Sequence, residues 1–231
     1  MTDNDIAKDY SHVKPFPSAT VILLRDHDGG IEVLLLRRSA KLETHGGYWV
    51  FPGGRVDKAD YGSSPDVFEA ARNAAVREVA EESGLEVARD DLVPVSRWIT
   101  PPVMPKRFDT WFFITGASDA EVEVDGGEID LHRWLTPTCA LDEFKEQKLQ
   151  LPPPTFVTLT MLSQFASVDA VLSDIGARAL EEFLPRIERF DGGACALYHG
   201  DAGYETGQVD AEGARHRLWF LEEGWRYERD V

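Results

Sequence analysis

The sequence predicts an α+β protein, a mixed β-sheet with helices packed on it. Three observations predict it. Short β-branched and leucine-rich runs recur between residues 19 and 135, and a single long amphipathic helical pattern interrupts them after Ser64. The order of the two is irregular, without strict strand–helix alternation. The chain has 231 residues, 43% hydrophobic and 28% charged, enough apolar content to bury a core and too much for a disordered chain.

Residues 1–14 carry little apolar content and read as a loose arm. Residues 19–24 and 31–36 flank Asp26, His27, Asp28, Gly29 and Gly30, which predicts a hairpin. A turn-rich stretch through His45, Gly46 and Gly47 leads to a short strand at 48–51 and the loop Pro52-Gly53-Gly54. A helix is expected over 65–83: Ser64 suits the N-cap, Pro65 the first position, Asp66 the positive end of the dipole and Gly84 the C′ position. Val67, Phe68, Ala71, Ala75 and Val79 then share one face, which must lie on a sheet. Strands follow at 92–99, 109–115 and 129–135. Pro152, Pro153 and Pro154 precede a helical pattern over 155–175; a second helix at 178–184 stops at Pro185, and 193–198 and 217–221 read as a late strand pair. There are no internal repeats.

The 24 basic side chains stand against 41 acidic ones, a formal net charge of −17. So acidic a body repels nucleic acid, which is bound through a basic stripe. Cys139 and Cys195 have no CxxC or Cys/His neighbours, so they are expected as buried free thiols, with neither zinc nor a disulfide framework. The acidic, polar start and the absence of any run of about 18 apolar residues predict a cytoplasmic protein without a membrane partner.

The informative stretch is Arg77-Glu78-Val79-Ala80-Glu81-Glu82-Ser83-Gly84-Leu85. On a helix Glu78, Glu81 and Glu82 stand at i, i+3 and i+4, so three carboxylates share one face with no lysine among them. Each unpaired like-charge contact of this kind costs a helix about 0.2 to 0.5 kcal/mol. A divalent cation is the natural reason for it, and carboxylate oxygens suit Mg²⁺, which keeps several waters and bridges to phosphates. Phe51-Pro52-Gly53-Gly54, just before this helix, leaves backbone free to approach the same metal or a phosphate.

Residues 51–85 resemble the Nudix box of the Nudix hydrolases, G-x5-E-x7-R-E-U-x-E-E-x-G-U with U aliphatic. The C-terminal half, from Arg77 through Leu85, matches throughout. The N-terminal half departs: counted from Gly54 the first acid falls on Asp60, counted back from Arg77 it falls on Glu69, and either way nine extra residues sit before the helix. A surface loop absorbs such an insertion cheaply.

The resemblance implies an α/β/α sandwich over residues 15–163 with an extension over 164–231, and hydrolysis of a diphosphate linked to another group. It implies Glu78, Glu81 and Glu82 as ligands of Mg²⁺ or Mn²⁺ with Gly53 beside them, Glu78 also as base or water-orienting group, and Arg77 as the group that orients the carboxylates. Glu128 is a candidate second base or outer ligand, and equally a solvated loop acid.

A second pattern overlaps the first. Leu34-Leu35-Leu36-Arg37-Arg38-Ser39, then Glu43, Gly47 and Phe51-Pro52-Gly53-Gly54 resemble, in spacing, the L-L-T-x-R-S/A-x3-R-x3-G-x3-F-P-G-G signature of coenzyme A diphosphatases of this family. Leu36 replaces Thr and Glu43 replaces Arg. The loop insertion, Pro105-Lys106-Arg107-Phe108-Asp109-Thr110 and the proline run before Thr155 are similar to the peroxisomal branch.

On so acidic a chain, Arg37, Arg38, Lys41, Arg55, Lys106 and Arg107 are where an anionic substrate finds compensation, or else surface ion pairs. Trp98, Phe108 and Trp111 are either adenine platforms or core aromatics. The expected substrate is coenzyme A, an acyl-coenzyme A or a related nucleoside diphosphate derivative. An ADP-ribose or NADH diphosphatase is the nearest alternative, and a ligand-sensing module without turnover the reading from another class. Residues 164–231 are open to three roles: covering the core, shaping the substrate mouth or forming a homodimer.

Overall fold

The computed structural model describes residues 9–28, 30–42, 46–117 and 120–230. Residues 1–8 of the expected arm, Gly29 of the hairpin turn, Glu43 of the coenzyme A signature and His45 lie outside them. The chain divides into two compact units. One comprises Pro17–Ser96 and Thr110–Leu180; the other comprises the chain up to Phe16, Arg97–Asp109 and the chain from Glu181 onward.

In the first unit the mixed sheet runs in the order β3 (Trp49–Val50), β2 (Gly30–Arg38), β1 (Phe16–His27), β6 (Phe108–Gly116), β5 (Val93–Ile99), while β4 (Gly53–Arg55) pairs with β1 and β7 (Ile129–Leu135) with β2. The β1–β2 hairpin is antiparallel, with Leu24 opposite Val33. Pleating sends alternate side chains to opposite faces. Ala19, Val21 and Leu23 of β1 and Leu34 and Leu36 of β2 meet the helix α1 (Val67–Ser83) through its Ala71, Ala74, Ala75 and Val79, all fully buried. Alanines on this face let the helix lie close to the sheet, and each large aliphatic side chain so buried contributes about 1.5 to 3 kcal/mol. Phe68 packs edge-on against Trp111, centroids 4.8 Å apart. Elsewhere α2 (Pro137–Lys145) packs on α3 (Pro153–Leu162) and on β2, with Phe144 and Phe156 rings 5.2 Å apart.

Several expectations are corrected. The N-cap of α1 is Asp66, not Ser64: Asp66 has extended backbone and accepts the Phe68 N–H at 2.9 Å, while the Ser64 hydroxyl accepts the Asp66 N–H. A carboxylate both caps and complements the dipole, so it takes the position from the serine. Val67 is exposed rather than on the buried face. Gly84 closes the helix in the left-handed conformation at φ 68°, as its sequence position predicts. Residues 155–175 form two helices, because Ser167 starts α4 (Val168–Gly176) by accepting the Ala170 N–H and Asp26 accepts the Val168 N–H. The Gly53-Gly54 loop is strand β4. A further helix, α2, begins at Thr136-Pro137, where the threonine accepts the Cys139 N–H.

The second unit holds an antiparallel meander, β12-β11-β10-β9, from β9 (Arg186–Phe190), β10 (Gly193–Leu197), β11 (His216–Leu221) and β12 (Gly224–Arg229). The helix expected at 178–184 is instead strand β8 (Glu181–Phe183). Pro185 disfavours a helical Leu184, and Phe183 stacks on Trp98 with centroids 3.9 Å apart. Asp201 and Arg217 form a buried ion pair, Nε to Oδ2 2.7 Å and Nη2 to Oδ1 2.6 Å. Asp201 also accepts the backbone N–H groups of His216 and Gly203. Cys195 on β10 is buried as expected, but Cys139 on α2 is exposed, its thiol directed at Glu143 on the solvent side of that helix.

Candidate active site

The site is built where β4 meets α1. Pairing of β4 with β1 sets Gly53 opposite Thr20 and Gly54 opposite Ala19, which lays the Gly-Gly backbone against the carboxylate face of the helix. A Cβ on Gly54 would stand 2.4 Å from Glu78 Oε1, and one on Gly53 2.4 Å from the Ala19 carbonyl. At Gly53 the obstacle is backbone and only glycine permits the approach, whereas at Gly54 a Cβ would push the Glu78 carboxylate aside. The Gly53 N–H donates to Glu82 Oε2 at 2.8 Å.

Arg77 organises the surrounding acids. Its Nη1 donates to Glu78 Oε1 at 2.8 Å and to Glu81 Oε2 at 3.0 Å, so these acids are not unpaired, as the lack of a lysine suggested. Nε and Nη2 grip both oxygens of Asp60 at 3.2 and 2.9 Å, and Nη2 also reaches the Arg55 carbonyl at 3.0 Å. The bonds to Asp60 above all hold the guanidinium well above its ordinary pKa. Of the two places counted for the first acid, Asp60 faces Arg77 and is buried, whereas Glu69 is bonded to Arg89. Asn73, not singled out by the sequence reading, donates from Nδ2 to the Asp60 carbonyl at 2.8 Å. Its signal was its place four residues before Arg77, on the same helix face.

Burial raises the Glu78 carboxyl, and Arg77 opposes the rise. Glu82 is 6% exposed. Burial pushes it up to about 8; the Gly53 N–H counters, Glu78 adds, Arg38 subtracts and Glu128 adds. Glu128 itself is exposed, 3.8 Å from Arg38 Nη2. Among the described residues no three His, Cys, Asp or Glu side chains stand together as a closed metal cluster, since Glu78 and Glu81 are turned onto Arg77 and Glu82 onto Gly53. The chemistry of the donors nonetheless fits a hard divalent cation: three carboxylates on one helix face, one of them buried with its charge so poorly compensated that its pKa rises.

The other singled-out cations have varied surroundings. Arg37 Nε bonds Asp130 Oδ1 at 2.7 Å. Lys106, Arg107 and Phe108 belong to the second unit. Arg107 is buried and donates to the carbonyls of Thr100 and Val13, both at 3.0 Å, while Lys106 Nζ lies 5.4 Å over the Phe108 ring. Trp98 and Trp111 are packed among Phe183 and Phe68, so each is a core aromatic.

A strand-borne Gly-Gly backbone thus closes on an arginine-ordered carboxylate helix. The NUDIX domain model matches residues 14–154, more than half of the chain, and the chain belongs to the Nudix family. It is 36% identical over 118 residues to the acyl-coenzyme A diphosphatase NUDT19 of Xenopus laevis and 33% identical over 115 residues to the human protein of that name. Each match covers 47% of this chain and 31% of the relative, so the chain matches about a third of their length. The crystal structure of a NUDIX hydrolase from Alicyclobacillus acidocaldarius superposes with a TM-score of 0.64 at 24% identity, over 74% of this chain and 99% of that one. That likeness supports the fold.

Proposed function

We propose that the protein hydrolyses the diphosphate linkage of coenzyme A or an acyl-coenzyme A. The observation that carries the reading is the buried Glu82 carboxylate bonded to the Gly53 N–H, which joins the Gly-Gly loop to the acidic helix face. In this reading Glu78, Glu81 and Glu82, with Gly53, hold Mg²⁺ or Mn²⁺. Such an ion, when bound, neutralises diphosphate charge and lowers the pKa of a water.

The chain's own groups do the rest. Arg77 fixes one oxygen of Glu78 and so leaves the other to orient or deprotonate the attacking water. Burial raises the Glu78 carboxyl and makes it a better proton acceptor than an exposed glutamate. Glu128, close enough to Glu78 and Glu82 to act on both electrostatically, is the proposed second base or outer ligand. Arg38 and Arg55 are the proposed contacts for the anionic substrate. The coenzyme A assignment draws on the spacing of residues 34–54 and on the names of the two relatives.

Mass spectrometry after incubation with Mg²⁺ and a panel of coenzyme A, acyl-coenzyme A, ADP-ribose and NADH tests this. The expected products are 3′,5′-ADP and a phosphopantetheine. AMP from ADP-ribose or NADH would replace the substrate and keep the chemistry. No turnover with Mg²⁺ or Mn²⁺ would favour a ligand-sensing module.

A further inference from the structure

We propose that the sheet carries a second ligand site, on the face turned away from α1, which takes a phosphate group, free or as a monoester, through Arg37. The proposal stands apart from the reading of Glu78, Glu81 and Glu82 as a metal site.

Along β2, Leu34 and Leu36 face α1, and Arg38, next in phase, lies close enough to Glu82 to act on it electrostatically. Arg37 is out of phase and therefore stands on the other face, directly opposite Trp49 of β3. An open pocket of about 360 Å³ lies there, a size usual for small-molecule sites. Arg37, Gly47, Trp49, Gln147, Lys148 and Gln150 are part of its lining. The chain has 41 acids against 24 basic residues, yet the described lining includes two cations, two amides and no acid.

The two cations are held loosely enough to serve a ligand. Asp130 accepts only the Nε of Arg37, at 2.7 Å, and Nη1 and Nη2 have no bond to the described residues. A guanidinium anchored at Nε is oriented in advance, and its two Nη groups match two oxygens of a phosphate. Lys148 Nζ bonds Glu146 at 2.6 Å, with 65% of its side chain exposed. Such a surface pair contributes little, so the ammonium is available to an anion.

The pocket also holds a strained residue. Helix α2 ends in a Schellman turn, in which the Gln147 N–H donates to the Phe144 carbonyl at 3.0 Å and the Lys148 N–H to the Glu143 carbonyl at 2.9 Å. Gln147 takes the left-handed position of that turn, φ 60°, where glycine is favoured. Glycine would relieve the strain and would remove an amide from the pocket wall. Strain retained at a concave polar surface points to binding.

In metal-free buffer of low ionic strength the carboxylate face of α1 repels anions, so a heteronuclear NMR titration of the assigned protein reports on the other face. The probes are inorganic phosphate and 3′,5′-ADP. Phosphate is expected to shift the amide signals of Gly47, Gln147 and Lys148 saturably. Arg37→Gln is expected to weaken binding about 10- to 100-fold, the scale of a hydrogen bond to a charged group, while its strand neighbour Arg38→Gln leaves it unchanged. Gln147→Gly is expected to raise Tm and weaken binding together, whereas a merely structural glutamine would move Tm alone. Tighter binding of 3′,5′-ADP identifies the occupant as a phosphate ester, and tighter binding of inorganic phosphate identifies it as the free ion. No saturable shift with either probe overturns the proposal, as does wild-type affinity in Arg37→Gln. An equal loss in Arg38→Gln puts the anion on the catalytic face and overturns it too. Should Arg37→Gln not fold, Lys148→Gln on the surface carries the comparison, and unchanged affinity there is equally fatal.

Discussion

Glu82 shows how one side chain ties fold to chemistry. Its carboxyl is buried, raised to about 8 and met by a single backbone N–H from Gly53. Glutamine at this position keeps an oxygen for that bond and removes the charge. Glu82→Gln is therefore expected to keep or raise Tm in metal-free buffer while kcat falls by a factor of about 100 or more, the scale of losing several kcal/mol of charge stabilisation. Calorimetry beside the product assay checks both halves. At Gly54 the opposite balance holds. A methyl group there meets the Glu78 carboxylate at 2.4 Å, so Gly54→Ala is expected to displace Glu78 and cut kcat with little change in the far-ultraviolet circular dichroism.

At the scale of elements, α1 was legible because its signals are local: the apolar face, the acids at i, i+3 and i+4, and Gly84 at its end. The cap was read two residues too early because Ser64 and Asp66 both carry capping side chains, and only the three-dimensional path decides which oxygen reaches a free N–H. Asp66→Ala is expected to lower stability by about 0.5 to 2 kcal/mol in urea unfolding, the usual cost of an N-cap, and Ser64→Ala by less. The break at 163–167 escaped the sequence because one of its anchors, Asp26, is distant in the chain. Strand β8 escaped for the same kind of reason, since its Phe183 gains its place from Trp98. Strands β9 and β12 alternate arginine, glutamate and aromatic residues and become strands by pairing with β10 and β11. Glu78, Glu81 and Glu82 could be grouped from the sequence because they stand within about one turn of one helix, but the choice between Asp60 and Glu69 as the partner of Arg77 needed the path of the loop.

At the scale of the whole molecule, stability depends on a unit that lies outside the Nudix box. In the second unit, burial alone would raise the Asp201 carboxyl, but Arg217 and the N–H groups of His216 and Gly203 outweigh it and hold the pKa below the usual carboxylate value. A depressed folded value means that the unfolded chain binds the proton first. Asp201 therefore contributes stability above the ordinary carboxylate range, and this is lost as pH falls through the folded value. Asp201→Asn leaves Arg217 buried without its counter-charge and is expected to cost about 3 to 5 kcal/mol at neutral pH. Its unfolding free energy is also expected to fall less steeply than that of the wild type on acidification, as urea titrations across the acid range would show.

The two thiols offer a handle for experiment. Burial pushes Cys195 up to about 12, while exposed Cys139 is raised less, by partial burial and by Glu143 beside it. Since only a thiolate reacts with maleimide, the native protein should take up one fluorophore, slowly at neutral pH and faster in mild alkali, and the denatured protein two. The molecule thus carries a built-in single attachment point on α2, and a dye placed there reports on unfolding or ligand binding without any engineered cysteine.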